Sequence, residues 1–126
     1  MTLDDIILPD DLDWVNEFNW SPVIRNQQYG ADGALFISDS VKQAGRPISF
    51  QGEQNTCWIT RSEMQALNAL LLQPDKTMTL TLSDGRQFTI MFDHASGAIE
   101  TEKVLKGSYF DSTEYYQINS INFIEV

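Results

Sequence analysis

The chain has 126 residues, a formal charge of −10, one His and one Cys, a length that a single domain accounts for and that buries about two-thirds of its unfolded surface without staples. The lone Cys57 excludes an internal disulfide framework and a cysteine-based metal site, and suits a small buried apolar residue better than a reactive thiol. Acidic residues outnumber basic ones 18 to 8, so phosphate backbones and anionic lipid are repelled: nucleic-acid and membrane-surface binding are set aside, and basic partners stay open.

The acidic opening is unlike a secretory leader and no apolar run approaches the roughly 20 residues of a membrane span, so a soluble protein made in the cytoplasm is expected. Asp4, Asp5, Asp10, Asp11, Asp13 and Glu17 all precede the first basic residue, Arg25, and carry more than half of the net charge. Residues 1–13 add Leu3, Ile6, Ile7, Leu8 and Leu12 to these acids, and Pro9 prevents a regular helix or central strand. An extended arm is expected there, either solvated or docking Ile6, Ile7 and Leu8 on a neighbouring subunit. Its carboxylates lack the loop spacing and central glycine of an EF-hand calcium site.

From residue 14 to 126 a single β-rich domain is expected. Trp14, Phe18 and Trp20, separated by polar residues and stopped by Ser21-Pro22, suit a strand or edge ribbon. Val23 to Tyr29 and Ala34 to Val41 read as a hairpin across Gly30-Ala31-Asp32-Gly33, where glycine supplies positive φ. The loop Lys42 to Pro47 leads to a short Ile48-Ser49-Phe50 strand, broken again over Gly52 to Thr56.

Thr60-Arg61-Ser62-Glu63 has the capping-box form, in which the Thr side chain accepts the Glu63 backbone N–H. A helix of about 13 residues, over about 60–73, follows. Met64, Leu67 and Leu71 lie at helical spacing, Ala66, Leu70 and Leu72 widen the buried face, and Pro74 fixes the end. The next hairpin specifies its own register: Met78, Leu80 and Leu82 share one strand face, and Phe88, Ile90 and Phe92 share another. Only a three-residue Ser83-Asp84-Gly85 loop pairs Leu80 with Phe88 and Met78 with Ile90, predicting a type I turn with a G1 bulge at Gly85. Thr77, Thr79, Thr81 and Thr89 then face solvent or a polar subunit contact.

Ala98 to Leu105 reads as a strand and Tyr115 to Val126 as a long final one. Apolar parity shifts from Tyr116 and Ile118 to Ile121 and Phe123, which predicts a bulge near Asn119-Ser120. The fold expected is mainly β (α+β): a small barrel or sandwich of antiparallel strands with one amphipathic helix.

Chemistry is sparse. His94 beside Asp93 and Ser96 is turn chemistry in sequence order, not triad geometry. Glu100 and Glu102 share a strand face, but Lys103 and Lys106 make a charged outer surface the simpler account. Gly30 and Gly33 lack the helix start that phosphate binding needs. No enzyme activity, cofactor or metal is expected.

Three patches carry a resemblance: Lys42-Gln43-Ala44-Gly45-Arg46-Pro47-Ile48, Trp58-Ile59-Thr60-Arg61, and Met78 through Phe88. With the acidic Leu8-Pro9-Asp10-Asp11-Leu12 opening, the Gly33-Ala34-Leu35 strand and the closing tyrosine-rich strand, the chain resembles small tail proteins of tailed bacteriophages and prophages. The resemblance implies a structural virion component, in the baseplate or at the tube-to-hub junction, assembled in the host bacterial cytoplasm. It also implies a homo-oligomeric ring contacting other tail proteins: tube, hub or baseplate. Candidate interface residues are Ile6, Ile7, Leu8, Trp14, Trp20, Arg25, Arg46, Arg61 and Arg86, although each arginine has an intramolecular partner as its equal alternative. Two readings compete: a monomeric module presenting Trp20, Tyr29, Tyr109 and Tyr115 to a carbohydrate or peptide, and a tail-assembly chaperone absent from the finished virion.

Overall fold

A computed structural model describes residues 1–42, 45–108 and 110–126. In chain order its elements are β1 (Thr2–Leu3), β2 (Ile6–Ile7), β3 (Asp13–Trp14), β4 (Val23–Tyr29), β5 (Leu35–Val41), β6 (Pro47–Gln51), β7 (Trp58–Thr60), α1 (Arg61–Leu71), β8 (Met78–Thr81), β9 (Gln87–Phe92), a 3₁₀ turn His94–Ser96, β10 (Ile99–Lys103) and β11 (Tyr115–Glu125). The chain is mainly β, and every strand pairing is antiparallel. No helix among the described residues is long and apolar enough to cross a membrane.

β11 is the axis of the larger sheet. Along one edge it pairs with β9 through Phe123–Glu125 and then with β10 through Tyr116–Ile121. Along the other it pairs with β6 through Ser120–Ile124 and then with β7 through Tyr115–Gln117. Each flank is therefore a broken strand laid end to end beside one long one. The expected bulge is present: Glu100 pairs with Ser120 but Thr101 pairs with Ile118, leaving Asn119 as the extra residue. That residue turns Ile118, Ile121 and Phe123 to the same core although their parity differs.

The β8–β9 register is the one the sequence specifies, with Leu80 opposite Phe88 and Met78 opposite Ile90. Gly85 sits at φ 93°, and its N–H donates to the Leu82 carbonyl at 3.0 Å, the geometry of a G1 bulge. Helix α1 starts on Thr60, whose side chain accepts the Glu63 N–H at 3.4 Å, and runs slightly shorter than expected. Leu67 is buried, and Met64, Leu70 and Leu71 pack against the core. Ala66 and Leu72 do not widen that face: both are exposed, Leu72 by 73% as the C-cap residue. Gly52 is required by close approach, since a Cβ there would lie 2.2 Å from the Ile118 carbonyl oxygen.

Three further expectations are corrected. The first concerns closure: the strand order β2-β1-β8-β9-β11-β6-β3 is an open path, so no closed barrel forms among the described residues. Trp14 on the terminal strand β3 nevertheless meets Phe88 of the interior strand β9 edge-on at 5.6 Å. The second concerns residues 1–13, which are folded in rather than extended. Asp4 takes φ 50°, a conformation Asp tolerates, and reverses the chain so that β1 pairs with both β2 and β8. Leu3, Leu8 and Leu12 enter the core. The acids there hold backbone: Asp4 accepts the Thr79 N–H at 2.8 Å, Asp11 accepts the Cys57 N–H at 3.0 Å, and Asp10 pairs with the Met1 amino group.

The third is the ribbon 14–20, of which only Asp13–Trp14 is strand. Asn16 ends it by placing its amide in the ladder, accepting from the Trp14 indole and the Ser49 N–H at 2.9 Å each and donating to the Pro47 carbonyl. Beyond that turn Phe18 is 90% exposed.

Candidate interaction surface

The nine residues singled out from sequence fall into four places. Trp14, Trp20, Arg46 and Arg86 come together. The Arg46 guanidinium carbon lies 5.0 Å from the Trp14 ring and 5.9 Å from the rings of Trp20 and Phe88. Arg86 lies 5.3 Å from Trp14 and Lys42 lies 5.4 Å from Trp20. Arg46 also donates to the Glu17 carbonyl at 2.7 Å, and Arg86 reaches Asp84 at 2.7 Å and Glu17 at 3.4 Å. Stacked cations over indoles give this cluster cohesion beyond apolar area, and it joins β3 to the β8–β9 hairpin where main-chain bonds are missing.

Arg61 is spent internally, donating to the Tyr116 hydroxyl at 2.6 Å and lying over Phe110. Of the Ile6-Ile7-Leu8 patch, Leu8 is core and Ile6 packs against it, leaving Ile7 as the exposed member. Arg25 belongs to the fourth place, the β4–β5 hairpin, where it holds Asp39 across the strands in a two-bond fork at 2.8 and 3.0 Å. That hydrogen bond is the main reason the Asp39 carboxyl is held below its ordinary range.

This hairpin forms a sheet of its own, and none of the 7 residues in either strand is buried. Its register sets Val23 against Val41, Arg25 against Asp39, Gln27 against Ile37 and Tyr29 against Leu35 on one face. That face is apolar apart from Gln27 and the central ion pair. Asn26, Gln28, Ser38 and Ser40, with Ile24 and Phe36, form the other face, and an open recess of about 360 Å³ is lined by Asn26, Gln28, Phe36, Ile37 and Ser38. A two-stranded hairpin alone is marginal in water, and an apolar exposed strand is a template for pairing or docking.

Sequence reasoning found the hairpin but, apart from Arg25 and Tyr29, not its importance. Its strands alternate like any half-buried ribbon, and only the lack of a covering neighbour distinguishes them.

Reactive groups are dispersed. His94 is exposed on its 3₁₀ turn, 6.3 Å from the Phe92 ring. Cys57 is buried, and burial pushes its thiol up, away from the thiolate a nucleophile needs. Glu102 pairs with Lys106 at 3.5 Å. Among the described residues no group of His, Cys, Asp and Glu is arranged to hold a metal ion. Of the aromatics proposed for ligand stacking, Trp20 lies in the cation cluster, Tyr29 on the hairpin and Tyr115 beside Trp58 at 5.7 Å. Tyr109 lies outside the described residues, as do Gln43 and Ala44 of the 42–47 loop.

No family model, curated protein or solved structure matches the chain.

Proposed function

We propose that the chain is a structural component of a bacteriophage tail, at the baseplate or the tube-to-hub junction, acting through subunit contacts in a ring. The sequence resemblance supplies the tail, and the β4–β5 hairpin is the observation that carries the mechanical part of the reading. A compact body extends an uncovered ribbon with an apolar face, which suits an element that becomes fully ordered against a neighbouring protein. In this reading the larger sheet is the body of the subunit, and the hairpin's apolar face receives a tube, hub or baseplate partner. The acidic body favours basic partner surfaces. The assembled site is the virion tail, reached from the host cytoplasm.

The test is quantitative mass spectrometry of purified particles, scaling this chain's peptides to those of the tube protein. On the order of three to twelve copies per particle, as ring symmetry dictates, supports a baseplate or tail-end position. Absence from particles overturns the virion reading. Absence with abundance in the lysate then favours an assembly chaperone, and a monomer that binds a sugar or peptide saturably favours the ligand module.

A further inference from the structure

The hairpin's free edges are fixed in phase by two bonds. The Gly30 N–H donates to the Ala34 carbonyl at 2.7 Å, and the Lys42 N–H donates to the Pro22 carbonyl at 2.6 Å. With the observed register, alternation in an antiparallel ladder makes the even-numbered residues the hydrogen-bonded pairs inside the hairpin. The N–H and C=O groups of Leu35, Ile37, Asp39 and Val41 therefore point outward from β5, as those of Val23, Arg25, Gln27 and Tyr29 do from β4. No proline or lysine interrupts β5, and its one charge is already neutralised by Arg25. The devices that normally blunt an edge are missing.

We propose that β5 pairs antiparallel with β5 of a second copy of this chain, about a two-fold axis through Ser38. The choice of partner follows from self-complementarity. In this register Leu35 faces Val41 of the second copy, Ile37 faces its Asp39, and Phe36 faces its Ser40, so no like charges stand directly opposite. All the outward-pointing residues meet one another in hydrogen-bonded pairs, giving about eight new main-chain bonds. The product is a four-stranded sheet β4-β5-β5-β4, which passes the three-strand threshold that the isolated hairpin does not reach. On the face that carries the ion pairs, Val23, Val41, Leu35 and Tyr29 form an apolar row at each end, with the two Arg25–Asp39 pairs between them.

The arm suits contact between two copies of an acidic chain for a further reason. Arg25, Asp32 and Asp39 are its only charges, against a total of −10, so two copies meet where repulsion is least. The contact uses the β5 edge alone and leaves the apolar face to a tail partner. It does not depend on the tail reading, because an isologous two-fold contact is not the contact that closes a ring.

Light scattering during size exclusion of the purified chain tests the pairing. The expected mass is twice 14.3 kDa. Ile37→Glu puts a carboxylate directly opposite Asp39 of the second copy, a like-charge pair, and is expected to return the mass to 14.3 kDa, whereas Gln27→Glu, in the same phase on the outer edge of β4, leaves the dimer intact. Circular dichroism and a urea midpoint check that Ile37→Glu is folded, which exposure of the whole hairpin leads one to expect. Ser38→Cys places two thiols opposite each other at a non-hydrogen-bonded pair, close enough for oxidation to link them, while native Cys57 is buried. A monomer at the highest soluble concentration overturns the proposal. So does a dimer that survives Ile37→Glu, or one that dissociates with Gln27→Glu instead. A dimer that Ser38→Cys cannot cross-link refutes the register. Copy number in purified particles is read separately, so failure here and failure of the tail reading are distinguishable.

Discussion

The β4–β5 and β8–β9 hairpins reverse direction through the same five-residue device. In Gly30 to Ala34 and in Leu82 to Arg86, the first residue donates to the last residue's carbonyl, at 2.7 and 2.8 Å, and the glycine donates back to the first at 3.0 Å in both. In each, an aspartate accepts the N–H two residues on, Asp32 from Ala34 at 3.0 Å and Asp84 from Arg86 at 3.1 Å, and a glycine follows at φ 86° or 93°. Their surroundings are opposite. β8–β9 lies between β1 and β11 and buries Met78, Leu80, Ile90 and Phe92, whereas β4–β5 buries nothing. Turn chemistry therefore fixes register, and covering is decided by what the rest of the chain brings alongside.

The comparison is most easily broken by cutting the same kind of side chain from each hairpin. Leu80→Ala removes a fully buried group and is expected to cost about 2–5 kcal/mol in urea unfolding. Ile37→Ala, at an exposed position, should stay within about 0.5 kcal/mol at dilution. Equal losses would mean that β4–β5 is packed after all.

A smaller effect sharpens the contrast at the turns. An alanine meets no clash at Gly33 or Gly85 but must hold a positive φ, which costs about 1–2 kcal/mol. Gly85→Ala should lower the global unfolding midpoint by that amount. Gly33→Ala should scarcely move it and should instead speed amide exchange in β4–β5 alone, since local opening is where that hairpin's stability resides.

The smallest effect is with acid. Asp39 is held below the usual carboxylate range chiefly by the hydrogen bond from Arg25, and Asp84 chiefly by the Arg86 backbone N–H. A depressed carboxyl stabilises the folded form above its ordinary value, and that contribution fades as pH falls through the depressed one. Both hairpins should thus loosen slightly in the strongly acidic range. Asp39→Asn should remove the response from β4–β5 and leave that of β8–β9, as read from cross-strand contacts by NMR.

The sequence announces what local chemistry decides. Asp84-Gly85 with matched apolar parity determines the β8–β9 register, Thr60 with Glu63 starts the helix, and the parity shift after Ile118 marks the Asn119 bulge. It is silent where a distant partner decides. Nothing near Asp4 shows that Thr79 will receive its carboxylate, and nothing near Asn16 shows that Pro47 and Ser49 will take its amide. Of the candidate surface, Trp14, Trp20, Arg46 and Arg86 were legible as individuals but not as one stack. The apolar face of β4–β5 was legible as a pattern, while its lack of cover is a property of the whole packed chain.

The Lys42 N–H bond to the Pro22 carbonyl means that residues 23–41 leave and re-enter the body at a single point. In engineering terms they are a cassette. The arm can be lengthened, refaced or replaced without re-registering a strand around β11, so the surface offered to partners can diverge quickly on a body that stays constant.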